Sequence, residues 1–250
     1  MRTTRIVALA GLVIAPGGGT ATAQTPVTGP VEIPLEVRAG RMTVPVRAAD
    51  GTELRFLVTT GSAVTVLSES GERRAGGRAL TLGGVPVNME GSVTLPDSDL
   101  TVDGAVLDGL VSNNTLNAFD VLFDAPGGRL VLKPVGRSVE WQGIELSDPV
   151  RLRVYHGVVL ALDVELDGTA YPAMLELGAP KLLVNQRVLD ETGITGGVAK
   201  DLRLGSTTFH DVPVELSDHP SIARFSPNGD GFVVVGTPPA LACPIAISWV

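Results

Sequence analysis

The chain repeats itself, and that repeat limits its folding more than any other feature. Arg38 to Leu67 can be laid on Tyr155 to Val184 without a gap, at a constant offset of 117. Gly40 meets Gly157, Asp50-Gly51 meets Asp167-Gly168, and Gly61 meets Gly178, with apolar alternation in register between them. Each copy reads as a strand, an Asp-Gly turn, a second strand running into a glycine loop, and an apolar return. More loosely, Leu80 to Val85 corresponds to Leu202 to Thr207, each a hairpin around a glycine, after which the copies drift in offset. A chain duplicated in this way is expected to fold as two lobes of about 100 residues each.

Composition agrees with that plan. Hydrophobic residues make up 44% of the 250, enough for a sizeable core and too many for a disordered tail. The 30 glycines and 18 prolines favour short strands and tight turns. Only brief helices are expected, at Asn113 to Ala118 and Asn185 to Glu191, so the fold class is all-β. The formal net charge of -8 argues against a nucleic-acid partner.

Residues 1–23 have the order of an export signal. Arg2 and Arg5 precede an apolar run from Ile6 to Ala15, and small residues end in Ala21-Thr22-Ala23 before Gln24. The apolar run is too short to span a bilayer, and no later segment is long and apolar enough either. Cleavage after Ala23 is expected to leave an exported chain, periplasmic or secreted, with no membrane span. Residues 24–34 are polar and proline-rich and are read as a flexible entry to the fold. The first lobe is then 35–135, a linker 136–149, and the second lobe 150–250. Cys243, the one cysteine, lies in an apolar setting that suits a buried thiol, and it excludes both an internal disulfide and thiolate zinc sites.

The best-matched stretches are Phe56-Leu57-Val58-Thr59-Thr60-Gly61-Ser62-Ala63 and Ala173-Met174-Leu175-Glu176-Leu177-Gly178-Ala179. Here the sequence resembles the pepsin and retropepsin-like aspartic peptidases, whose lobes each carry a hydrophobic-hydrophobic-Asp-Thr-Gly-Ser/Ala loop. The resemblance extends to Leu107 to Ser112, to Phe119 to Asp124 with Gly127-Gly128-Arg129-Leu130, and to Val234-Val235-Gly236 in the second copy. It implies two homologous retropepsin-like lobes related by pseudo-twofold symmetry, an acid-protease-like barrel fold, with Gly61 and Gly178 meeting at the lobe interface.

The departures bear on function. Thr59 stands where the family has its first catalytic aspartate, and Glu176 where it has the second. Leu177 replaces a threonine that in the family hydrogen-bonds across the two loops, and Ser112 replaces a glycine. As the resemblance implies, family catalysis uses two adjacent carboxylates sharing one proton. A threonine hydroxyl cannot act as a general base near neutral pH, so Thr59 reads first as a β-branched strand residue. Glu176, in an apolar loop, is either a perturbed functional acid or a structurally satisfied or solvent-reached one. Each copy also has room for one hairpin after the loop, where active relatives need a substrate-covering flap and more.

Other signatures are thin. His156, His210 and His219 show no metal-ligand spacing, and Asp97-Ser98-Asp99 with Asp103-Gly104 misses the calcium-loop pattern. No metal or other cofactor is expected. The expected function is therefore an exported aspartic-peptidase-like protein without its dyad, a non-catalytic module binding an extended peptide or protein segment in the inter-lobe cleft. The cleft loops are Thr60, Gly61, Ser62, Ala63, Leu177, Gly178 and Ala179. Two alternatives stay open: an acid-active peptidase or hydrolase using Glu176, and a structural subunit pairing through edge strands.

Overall fold

A computed structural model of the chain describes residues 6–10, 29–136, 141, 143–146, 149–155, 159–218 and 220–249. The cleavage site after Ala23, residues 24–28, part of the expected linker, His156, Gly157 and His219 lie outside the described residues. Strands β1 (Ile6–Ala10) and β2 (Val31–Pro34) come first. β3 (Glu36–Arg38), β4 (Arg41–Ala48) and β5 (Glu53–Val58) form successive antiparallel hairpins. The β4–β5 turn uses the expected Asp-Gly: Gly51 takes a φ of +89°, and the Thr52 amide donates to the Asp50 carboxylate at 2.9 Å.

After the Thr59 loop come β6 (Val66–Ser68) and α1 (Glu69–Ala75), then β7 (Leu80–Leu82), β8 (Val85–Pro86) and β9 (Val93–Leu95). An outer hairpin of β10 (Thr101–Val102) and β11 (Ala105–Val106) leads to β12 (Gly109–Val111), the short α2 (Asn113–Leu116), β13 (Phe119–Asp124) and β14 (Arg129–Pro134). The second half runs β15 (Pro149–Tyr155), β16 (Val159–Leu166), β17 (Thr169–Leu175), β18 (Leu182–Val184) and α3 (Gln186–Thr192). It continues through β19 (Val198–Leu204), β20 (Thr207–Leu216), α4 (Pro220–Phe225), β21 (Val233–Val235), α5 (Pro238–Ala242) and β22 (Ile245–Trp249).

The duplication is carried into local structure. α1 and α3 coincide residue for residue at the offset of 117. Their N-caps, Ser68 and Asn185, accept from the Gly71 and Val188 amides, and Gly76 and Gly193 end them in the left-handed region. β12 lies parallel to β5 with Val111 opposite Val58, and β21 parallel to β17 with Val235 opposite Leu175. Each is also antiparallel to the strand that follows its glycine loop, β12 to β6 and β21 to β18. The same threading therefore occurs twice.

The molecule is mostly β, with a closed six-strand barrel and a half-barrel. The barrel is β17-β21-β18-β20-β19-β16, closed by the β16–β17 ladder. In the first half the counterpart of the long β20 is broken into β8 and β9. Val87 to Ser92 leave the sheet there, with Gly91 at a φ of +67°. Between the halves, β13 and β22 pair antiparallel with Val121 opposite Ile247, Leu122 opposite Ala246 and Phe123 opposite Ile245.

Three segments differ from the sequence expectation. Val31–Pro34, assigned to a flexible entry, is a strand on β14 with Ile33 buried, because Val31 and Ile33 alternate with polar neighbours and supply an apolar face. The described part of the expected linker packs: Trp141 is buried with Leu122, Val131 and Ala246, and Ile144 and Leu146 pack against them. Ile6–Ala10, within the export segment, is a strand parallel to both β15 and β22.

Candidate functional site

β5 and β17 end side by side with equivalent anchors. The Thr59 amide donates to the Val111 carbonyl at 3.0 Å, and the Glu176 amide to the Val235 carbonyl at 2.8 Å. These bonds aim both side chains at the same point between the halves, where the Thr59 hydroxyl donates directly to Glu176 Oε1. Gly178 N also donates to Oε1, at 2.7 Å, and Gly61 N donates to the Thr59 hydroxyl at 3.2 Å. A short relay thus runs from amide to hydroxyl to carboxyl. Thr59 is 4% exposed and Glu176 9%.

The extra methylene of glutamate decides where the carboxyl sits. Oε2 occupies the space above Gly61, so that a Cβ there would lie 1.3 Å from it. At Gly178 a Cβ would come within 2.7 Å of Oε1 and 3.0 Å of the Thr59 side chain. Both glycines therefore wall a space that the Glu176 carboxyl fills.

Burial pushes the Glu176 carboxyl above the ordinary carboxylate range. The Thr59 and Gly178 hydrogen bonds and the Arg41 charge oppose that shift without cancelling it. Arg41 reaches across from β4, and its Nη1 donates to the Gly178 carbonyl at 2.7 Å. Burial lowers its own pKa despite the nearby Glu176 and Glu215 charges. The charged group acting on Glu176 is thus a cation and not a second carboxylate.

Cross-loop bonding is one-sided. The Thr60 hydroxyl donates to the Leu175 carbonyl at 2.8 Å and accepts from the Leu177 amide at 3.0 Å. Leu177 is fully buried in the main core and has no polar group to return the bond. Ser62 closes on its own loop through the Val64 carbonyl, at 2.8 Å, while Ala63 is exposed and Ala179 buried.

Two residues missed by the sequence reading brace the loops. Asn113 Nδ2 donates to the Thr60 carbonyl at 2.6 Å, and the Thr237 hydroxyl to the carbonyls of Leu177 and Ala179 at 3.0 and 2.7 Å. Both stand two residues after the β12 or β21 valine, so extending the repeat past Val111 and Val235 would have found them. Arg41 had no such signal, since its partner position, Val158, is apolar.

The two hairpin tips pack against other strands. A Cβ at the β7–β8 tip, Gly83, would meet Val31 and Ile33, and one at the β19–β20 tip, Gly205, would meet Val150. Elsewhere, His210 is exposed and bonded to Asp201 at 2.6 Å, and Asp97 accepts from the Ser70 amide at 2.8 Å. Among the described residues no cluster of three or more His, Cys, Asp or Glu is placed to hold a metal ion. Chemically, the site offers one carboxyl whose pKa burial raises and one hydroxyl hydrogen-bonded to it. The chain matches no protein-family model and no curated protein.

Proposed function

We propose that this chain is an exported protein with two retropepsin-like lobes related by a pseudo-twofold axis, which has lost the peptidase dyad and serves as a non-catalytic peptide- or protein-binding module. Support for the lobes comes from the repeated threading of β12 and β21. The β13–β22 register adds to it: under the shift that carries Val111 to Val235, Val121 becomes Ile245 and Phe123 becomes Ile247, so the pairing is self-complementary. The observation that carries the functional reading is the direct Thr59–Glu176 bond. Where a dyad would need two carboxylates sharing one proton, a hydroxyl meets a single carboxyl that fills the space above Gly61.

Digestion of a library of unstructured peptides by the purified exported chain, run beside Glu176→Gln between about pH 3 and 7, tests this reading. No cleavage above background is expected from either protein. Cleavage by the native chain that disappears in the glutamine variant would overturn it and make Glu176 the acid of a working hydrolase.

A further inference from the structure

The central sheet has one strand drawn from a place where the sequence reading says the chain is cut. On the first side β14 lies between β13 and β2, and it comes from the same hairpin as β13. On the second side the corresponding place, between β22 and β15, is held by β1. Ile6 to Ala10 lie opposite Ile245 to Trp249, and Val7 to Ala10 opposite Pro149 to Leu152, in parallel register with both. Cleavage after Ala23 removes β1 and leaves two facing strand edges whose amides and carbonyls need partners.

The new N-terminus is too short to take that place. From the slot to β2 the sheet crosses β22, β13 and β14, four inter-strand steps or about 19 Å at roughly 4.8 Å each. That crossing needs about six extended residues beyond the five that fill the slot, whereas Gln24 to Pro30 supplies only seven before β2 begins. Two of the seven, Pro26 and Pro30, also lack an amide hydrogen.

We propose that the slot between β15 and β22 of the exported chain accepts an extended segment of a partner polypeptide, running parallel to both strands. This inference rests on the export reading and locates the binding expected of the module at the central sheet. The walls define the partner chemistry. On one face Ile245, Ile247 and Leu152 belong to the main core; on the other Ala246 is buried under Trp141, and Ser248 is buried and bonded to Asp120. A segment of five residues without proline fits, apolar where it joins the isoleucine face and small or apolar beneath Trp141.

A synthetic peptide with the sequence of residues 4–12, labelled and titrated into the chain beginning at Gln24, is the probe. Saturable one-to-one binding is expected, with hydrogen-exchange protection rising in β15 and β22. The same peptide carrying Ala8→Pro should bind at least tenfold more weakly, because it loses a ladder amide. Absence of binding, or β15 and β22 amides already protected without peptide, would overturn the proposal. So would an exported chain whose mass retains Met1, since β1 then stays in place. None of these results bears on peptide cleavage, so the digestion assay judges the non-catalytic reading separately.

Discussion

Thr59→Asp is expected to destabilise the chain by about 3–5 kcal/mol at pH 7 and to yield no peptidase. The substitution sets a second carboxyl against Glu176 in a space closed by Gly61 and Gly178, and it removes the hydroxyl that donates to Oε1. Both acids are then buried and adjacent, so each raises the pKa of the other. A carboxyl whose folded pKa lies above its unfolded value stabilises the fold in full below the unfolded pKa and loses that contribution as pH rises through the folded one. The deficit should therefore shrink between pH 7 and pH 4, which thermal unfolding at the two pH values would read. A deficit independent of pH would mean that the new aspartate is solvated and that the two loops do not close as described. Activity is not expected to return, because Glu176 is too long and Leu177 offers no cross-loop hydroxyl. Thr59→Asp, Glu176→Asp and Leu177→Thr together are the minimal repair.

Gly236→Ala should be as damaging, by about 3 kcal/mol, whereas Ser112→Gly should cost about 1 kcal/mol. These positions correspond in the repeat, yet their surroundings differ. A Cβ at Gly236 would lie 2.1 Å from the Lys181 carbonyl oxygen and 2.5 Å from that of Ala179. Both are main-chain atoms of the loop that Thr237 braces and that presents Gly178 to Glu176, so relief requires moving the site itself. Ser112 already carries a Cβ, and its hydroxyl donates to Asn114 Oδ1 at 2.9 Å, which is the bond that glycine would lose. Urea midpoints of the two variants should separate clearly; near-equal midpoints would show that the Ala179–Lys181 loop yields at little cost.

Both contrasts depend on how far the repeat could be read. The stretch from Gly40 to Leu67 was legible because its turns use residues with a positive-φ requirement and its strands alternate with period two. Those signals survive duplication, and α1 and α3 preserve even their caps. They fade beyond it. The drift in offset after the Leu80 and Leu202 hairpins hid Asn113 and Thr237, although both perform the same brace. The broken counterpart of β20 was not legible, since Val87-Asn88-Met89-Glu90 alternate apolar and polar as a continuing strand would, and the break shows only in the backbone, with Gly91 at a φ of +67°. Val31–Pro34 was obscured by flanking prolines, which suit an edge strand as well as a flexible segment.

At the site, residue identity was readable and placement was not. That Thr59 and Glu176 face each other follows from their offset. That the Glu176 carboxyl crosses to Thr59 and occupies the space over Gly61 depends on one methylene and on the absence of a side chain at Gly61, which only the packed loops show. Arg41 carries the same lesson: its guanidinium reaches Gly178 because the β3–β4 turn brings Gly40 against Pro180, a tertiary contact with no local signature.

The two loops close on one solitary carboxyl whose pKa burial raises above the ordinary glutamate range. A carbon-13 NMR titration of the Glu176 side chain, assigned by its loss in Glu176→Gln, measures this directly. The account predicts a single titration step above the ordinary glutamate range; a step at or below that range, or two coupled steps of the kind a dyad gives, would contradict it.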